Sequence, residues 1–278
     1  MKFRGIHSLA VRKNEIKLKA IVYIISLLLV FLSVYPILIM LIDFSGFEFN
    51  NPARVLKIIP KRVKELGVFL NKRTVRGFFN SVFVAAGSTI LNVYCSALTA
   101  HAIFAYKWRF RKVFSNLVLA LMMIPNTVTS VAFIRLAYSY HMNNNLATLI
   151  LPAIATPVSV VFMRLYLESC FSKEIIESAR IDGAGEIRIF HQIVLPILKP
   201  AIATQAIFAL AGSWTDMFLP MVLITEDSQR TLPLVLILNY ALGDYMIPEF
   251  VSVIPLIIVY LLLARHIVEG IQLGSVKL

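Results

Sequence analysis

Charged and small residues gather in one stretch of an otherwise oily chain: Glu177-Ser178-Ala179-Arg180-Ile181-Asp182-Gly183, then Ala184-Gly185-Glu186-Ile187-Arg188-Ile189-Phe190-His191-Gln192-Ile193-Val194-Leu195-Pro196. Lys173–Ile181 has the spacing of a short amphipathic helix, with Ile175, Ile176, Ala179 and Ile181 as its apolar residues. Gly183 and Gly185 permit the backbone angles that end such a helix and reverse the chain. Glu186–Gln192 reads as a second short helix presenting Ile187, Phe190 and His191. The chemistry this offers is recognition: small residues admit a partner backbone, and Glu177 can pair with an arginine or cap a helix. A solvated helical hairpin with no partner would have the same composition, so on the residues alone both readings stand.

Bond-making chemistry finds little material elsewhere. His7, His101, His141, His191 and His266 are scattered, and none has the i, i+4 spacing of a metal-binding helix. No Gly-x-Ser-x-Gly occurs, and the dipeptide Gly-Lys is absent, so no phosphate-binding loop of the P-loop type can form. Cys95 and Cys170 lie in or beside apolar segments without CxxC spacing and read as packing residues. The expectation is no catalytic residue, no metal and no cofactor bound by this chain; any ATP-driven step would need another subunit.

The elements that position the polar stretch are membrane helices. The 278 residues are 59% hydrophobic and 15% charged, against about 25% charged in soluble proteins. A spanning helix needs roughly 20 apolar residues, and Ala20–Ile42, Phe78–Ala105, Val113–Tyr138, Leu146–Leu167 and Pro200–Ile224 qualify. Phe250–Ala264 is a shorter sixth, completed by snorkelling of Glu249 and Arg265. Ala20–Ile42 is too long for a signal-peptide core and reads as a retained span. Leu232–Leu242 is too short to cross and reads as an interfacial or re-entrant piece. Pro36, Pro125, Pro152, Pro157, Pro220 and Pro255 fall inside spans and predict bent helices. The fold expected is all-α: a polytopic membrane protein of about six helices, with the polar loop between the fourth and fifth. The organisation expected is a cytoplasmic segment 1–19 and a single transmembrane domain 20–278, within which 43–77 is extracytoplasmic and 169–199 is the cytoplasmic polar loop.

The net charge of +12 suits loops beside anionic headgroups better than nucleic acid. Basic clusters in the N-terminus, in the second-to-third loop (Lys107, Arg109, Arg111, Lys112) and in the polar loop (Lys173, Arg180, Arg188, Lys199) fall on one face, assigned to the cytoplasm together with both termini. Asp43–Gly77 disagrees: on the opposite face it carries Arg54, Lys57, Lys61, Arg62, Lys64, Lys72, Arg73 and Arg76. The simpler account is an amphipathic helix on the outer leaflet with Val55, Ile58, Ile59, Val63 and Leu66 toward lipid. The other is a contact surface for an acidic partner or substrate. Arg135 and Arg164 lie near span ends, where snorkelling accounts for both.

Glu-Ser-Ala-x-x-x-Gly followed about a dozen positions later by Leu-Pro resembles the EAA motif of ABC importer permeases, and the wider frame is similar to the maltose-type carbohydrate group. Asn80-Ser81-Val82, Ile181-Asp182-Gly183-Ala184, Ile193-Val194-Leu195-Pro196, Trp214-Thr215-Asp216-Met217-Phe218, Thr231-Leu232-Pro233-Leu234 and Gly270–Lys277 carry it, from Phe78 onward. The resemblance implies a multi-pass permease in a prokaryotic cell membrane, paired with a second permease. It also implies two cytoplasmic ATPases holding ATP and magnesium, and an extracytoplasmic binding protein that delivers a sugar. Glu177, Ser178, Ala179, Asp182 and Gly183 would take the coupling positions, with Ser178 where alanine is usual.

Polar residues near the bilayer midplane are costly and often functional, which marks Asn92, Asn126, Thr127, Thr129, Trp214 and Asp216 as candidates for the substrate path. Each has a plainer reading as a helix-to-helix hydrogen bond or as packing. The rival functions are an EAA-type permease for an amino acid, polyamine or phosphate, a membrane-embedded enzyme, and a secondary transporter. The enzyme predicts clustered acids or histidines at one membrane face, and the secondary transporter predicts paired intramembrane charges with inverted-repeat symmetry; the sequence has neither.

Overall fold

The computed structural model describes residues 3–45, 51, 54–154, 156–240 and 252–262, and the chain divides into two units, Met1–Val68 and Phe69–Leu278. The first unit holds α1 (Phe3–Ser45) and nearly all of α2 (Arg54–Phe69). From Leu18 to Ile42, α1 is apolar on every face and none of it is buried within the protein. A helix apolar all round and uncovered by protein belongs in lipid. α2 is the amphipathic helix expected within 43–77.

The second unit is built on α3 (Lys72–Ala105), whose 34 residues extend about 51 Å at 1.5 Å each. Asn71 starts it, its Oδ1 accepting from the backbone N–H of Arg73 (2.9 Å) and Thr74 (3.0 Å). Its buried face is a seam of small residues, Gly77, Ser81, Ala85, Ser88, Ser96 and Ala100, which together with Asn92 keep the three- and four-residue spacing of one helical stripe. Against this hub pack α6 (Leu146–Ile150) with the 3₁₀ turn Leu151–Ile154, α7 (Pro157–Cys170), α11 (Lys199–Thr215) and α13 (Leu232–Tyr240). A Cβ on Gly77 would come within 2.9 Å of Val235 Cγ2, and one on Gly87 within 2.6 Å of Ile150 Cδ1. α13 packs against α3, with Leu232, Leu234, Val235 and Leu236 buried.

The third expected span is broken. α4 (Arg111–Leu121) and α5 (Asn126–Ser139) meet at 99° across Met122–Pro125, because proline cannot donate into the helix ladder and pushes the residue before it out of helical geometry. Pro157 and Pro200 likewise sit at helix starts, whereas Pro36 lies inside α1. α11 ends at Thr215, short of the expected Ile224, and α12 (Phe218–Leu223) follows. Two helices, α1 and α3, are long and apolar enough to cross a membrane singly, and three bent pairs bring the described candidates to five. Within the sixth expected span, α14 (Ser252–Leu262) is a shorter apolar helix. The C-terminal residues 270–277 lie outside the described residues.

Arg164 does more than snorkel: its Nε bonds Glu168 Oε1 at 2.9 Å, and its Nη1 donates to Ser115 Oγ, joining α7 to α4. Ser159 Oγ donates to Gln205 Oε1 (2.8 Å) in a buried bond between α7 and α11.

At one end of the unit, the connection 224–231 is pinned from two sides. Asn144, in the left-handed conformation (φ 55°), uses one side-chain oxygen to accept from Thr225 N (2.6 Å), Thr225 Oγ1 (3.0 Å) and Glu226 N (3.0 Å). From α3, Arg73 bonds Asp227 (2.8 Å), and Asn80 Nδ2 donates to the carbonyls of Ser228 (3.0 Å) and Arg230 (2.9 Å). Arg230 closes on Asp227 at 2.5 Å, and Leu232 N donates to Ser81 Oγ at 2.8 Å. Asn144→Ala should destabilise the protein by about 1–2 kcal/mol, since it hands the three exposed donors to water and leaves alanine in a left-handed backbone. Asn144→Asp, which keeps the acceptor, should cost less than half as much, with thermal unfolding in detergent as the readout.

Candidate functional site: the polar loop between α7 and α11

Ser172 caps α8 (Lys173–Ile181) through its Oγ, which accepts from Glu174 N at 3.3 Å. The helix ends as the glycine signal predicts. Gly183 N bonds Arg180 O (3.0 Å), Ala184 N bonds Ala179 O (2.9 Å), and Gly183 takes φ +79°. That pair of bonds is a Schellman cap, in which a left-handed residue stops the helix and turns the chain. Ala179 and Ala184, the residues joined by the second of these bonds, both pack on the core beneath. Gly185, expected to share in the reversal, has φ −71° and simply precedes α9 (Glu186–Ile189). The second helix departs from its expected form. After Ile189 the chain makes a π turn, Phe190–Val194, then α10 (Leu195–Ile197), and bends by 78° into α11.

The loop is seated on a core of Phe104, Met163, Leu167, Ile176, Ile189 and Phe190, each at most 2% exposed. Phe190, expected to face outward, is therefore buried; its ring meets Tyr94, His101 and His191. His101 is 3% exposed, and neither ring nitrogen has a hydrogen-bond partner. What does face outward is Ile181 (86% exposed) and Ile187 (79%), one on each side of the turn. Next to Ile187, an open hollow of about 670 Å³ is lined by Gly185, Glu186, Arg188, His191 and Gln192.

A polar clamp holds the two arms of the turn together. Arg180 Nε donates to Glu186 Oε1 (2.6 Å) and its Nη2 to Oε2 (3.2 Å). Tyr106, just past the end of α3, donates its hydroxyl to Glu186 Oε2 at 2.6 Å, and the Arg180 guanidinium lies 5.3 Å from the Tyr106 ring centroid. The Arg180 hydrogen bond, followed by that of Tyr106, holds the Glu186 carboxyl below the usual glutamate range. Burial, then the bond to Glu186, raises the Tyr106 phenol above its ordinary value. Charge complementarity between Arg180 and Glu186 was open to reading, but their contact requires the chain reversal and Tyr106 comes from 80 residues away. No helical or strand period signals either.

Of the residues singled out by sequence, Glu177, Ser178, Asp182 and Gly183 are exposed on one short surface, and Ala179 is half-buried beneath them. The substrate-path candidates do not form one cluster. Asn92 is 5% exposed and donates to Thr156 Oγ1 at 2.7 Å. Trp214 is 4% exposed, its Nε1 donating to Ser252 O (3.1 Å) and its ring edge-on to Phe78 at 5.8 Å. Asp216 accepts from Phe218 N at 3.0 Å, capping α12. Asn126, Thr127 and Thr129 are exposed at the start of α5, where Thr129 Oγ1 returns a bond to Asn126 O (2.8 Å). Among the described residues no three His, Cys, Asp or Glu side chains are grouped to hold a metal.

Two helices of bilayer length and three bent pairs, with a clamped polar turn between α7 and α11, are the architecture of a polytopic membrane protein. Residues 92–272 match the family of binding-protein-dependent transport system inner membrane components, and the chain belongs to that family. It is 31% identical over 206 residues to the arabinooligosaccharides transport system permease protein AraQ of Halalkalibacterium halodurans, covering 72% of this chain and 73% of that one. It is 30% identical over 272 residues to the galactooligosaccharides transport system permease protein GanQ of Bacillus subtilis, covering 90% and 94%. A crystal structure of a bacterial ABC transporter involved in the import of the acidic polysaccharide alginate shares the fold, with a TM-score of 0.62 over 71% of this chain and 76% of that one at 22% identity. The protein is thus a membrane-seated permease that works as one component of a transporter complex.

The clamp has a defined pH dependence. A carboxylate whose folded pKa is depressed contributes stability that is complete above its unfolded value, about 4.3, and is lost as the pH falls through the lower folded value. Hydrogen exchange over residues 178–190, corrected for intrinsic rates, should stay flat from neutral pH to about 4.3 and rise only below it. In Glu186→Gln it should be faster at neutral pH and lose that acid rise.

Proposed function

We propose that this chain is one of two transmembrane subunits of an ATP-driven, binding-protein-dependent importer of a sugar or oligosaccharide. The names of the relatives support the solute class: AraQ and GanQ are permeases for arabinooligosaccharides and galactooligosaccharides. The observation that carries the mechanism is the rigid turn, with exposed Ile181 and Ile187 on either side of a Schellman cap and the Arg180–Glu186–Tyr106 clamp. Exposed isoleucines held in fixed geometry, beside Glu177, Ser178 and Asp182, suit insertion into a cleft on a soluble partner. That partner is a cytoplasmic ATPase, two copies serving a pair of permeases, with ATP and magnesium bound there.

The turn and both termini lie in the cytoplasm, on the side of the basic clusters. Closure of the ATPase dimer moves the turn as a body, and α9–α10 pass the motion by covalent continuity into α11. The bundle alternates between inward- and outward-open cavities, and a binding protein presents the sugar at the outer face. Asn126 and Thr129, exposed at the start of α5, are the groups of this chain best placed to meet it without breaking a packing bond.

Copurification from native membranes in mild detergent should return a second permease, a P-loop ATPase and a solute-binding protein; a stable homo-oligomer without an ATPase would overturn the reading. Gly183→Asp should insert normally yet abolish uptake, because a side chain at φ +79° strains the cap that aims Ile181 and Ile187. Ile181→Asp with Ile187→Asp should leave the fold intact and release the ATPase from the copurified complex.

A further inference from the structure

α2 has no role in the transport path described above, yet its residues are sharply sorted. Leu56, Ile59 and Val63 form one exposed apolar stripe, at 78%, 41% and 59% exposure. Lys57, Lys61 and Lys64 are exposed to one side of it, and the helix as a whole carries five cationic residues against one carboxylate, Glu65. On a helical projection the three lysines lie together on one flank, separated from the Leu56–Ile59–Val63 stripe by Gly67 and Pro60. Lys61 reaches Glu65 at 3.6 Å, an i, i+4 pair that leaves the cationic excess in place.

From this arrangement we infer that α2 is an interfacial helix that binds the surface of an anionic phospholipid bilayer, its leucine–isoleucine–valine stripe in the acyl boundary and its lysines on headgroup phosphates. Chain connectivity supplies the location. α2 lies between two helices of membrane-crossing length and composition, and only residues 70 and 71 separate it from α3. So short a tether keeps the C-terminal end of α2 within reach of the bilayer face. Charge complementarity supplies the lipid class, since a cationic arc beside an apolar stripe is the pattern that anionic interfaces attract.

Stability points the same way. Pro60 interrupts the hydrogen-bond ladder in mid-helix, and a helix of 16 residues is marginal in water even without such a break. A bilayer that covers the stripe would supply the missing stabilisation. The inference also explains why a strongly basic segment persists where charge bias alone would not put it: its lysines are bound to phosphate.

The test uses the full transporter in its native membrane with p-benzoylphenylalanine introduced at Ile59, at Val63 or, as a control, at Lys61. Irradiation should attach phospholipid most efficiently at 59 and 63, read as a lipid-mass adduct, with a lower yield at 61, where the side chain meets headgroups rather than acyl chains. Adducts to a protein at 59 and 63 would overturn the inference in favour of an acidic polypeptide partner, and the absence of adducts at all three would overturn it in favour of a solvated helix. A second measurement, on the reconstituted complex, follows hydrogen exchange of residues 54–69. Protection should rise with the fraction of phosphatidylglycerol in the vesicles, and Lys57→Gln/Lys61→Gln/Lys64→Gln should lose that dependence. Equal protection in neutral and anionic vesicles would overturn the role of headgroup charge. Neither readout depends on the solute or on the ATPase, so failure here is distinct from failure of the transport assignment.

Discussion

Close approach to α3 is the constraint on which the larger unit rests. In a bilayer, helices gain little from hiding apolar surface, because lipid is as apolar as leucine; they associate through short-range packing and hydrogen bonds. Both need backbones near one another, and the small-residue seam from Gly77 to Ala100 provides this along the length of α3. Val235 lies where a Cβ on Gly77 would stand, and Ile150 where one on Gly87 would stand. With the distances set, single polar groups become effective ties: Ser81 to the start of α13, Asn92 to Thr156 ahead of α7, Asn80 to the connection 228–230.

The polar loop inherits its rigidity from the same hub. An exposed arginine–glutamate pair contributes at most about 1 kcal/mol, so the clamp is better understood as a device of direction than of stability. Glu186 receives both prongs of Arg180, and Tyr106 adds a hydroxyl bond and an aromatic face. Two points of attachment fix position; three, from separate parts of the chain, fix orientation as well. Because Tyr106 directly follows α3, the turn is referenced to the hub helix and not only to the two short helices it joins.

How far this could be read from the residues depends on the range of the interaction involved. The limits of α8 were legible to the residue, since the apolar spacing and Gly183 are local signals. The apolar character of α1 and α3 was equally plain. The bend at Pro125 was legible as a bend, but not as a 99° break, because its size depends on what each half packs against. Phe190 looked like a surface residue within its own short helix; the π turn and the core under it bury the ring. Tyr106 could not have been found, as nothing in its neighbourhood marks it as a partner for Glu186. The same holds for Asn144, whose three donors come from 81 and 82 residues away.

Polar groups along the bundle separate into spent and available ones, which bears on where a solute could be held. Trp214 was a candidate for the substrate path, but its indole N–H is committed to Ser252 O and its ring to Phe78. Asp216 uses one oxygen on the first turn of α12, and Asn92 uses its amide N–H on Thr156, while its buried Oδ1 has no hydrogen-bond partner. Drawing the Trp214 indole N–H or the Asn92 amide N–H to a solute forfeits an internal hydrogen bond of about 0.5–1.5 kcal/mol, and the solute must return at least that much. Asn126 and Thr129 carry no such debt across helices, since the Thr129 hydroxyl bonds only within its own turn. Their exposure comes from the break at Pro125, which ends α4 early and opens the first turn of α5. The feature that weakens this helix as a membrane span is thus the one that presents its polar side chains.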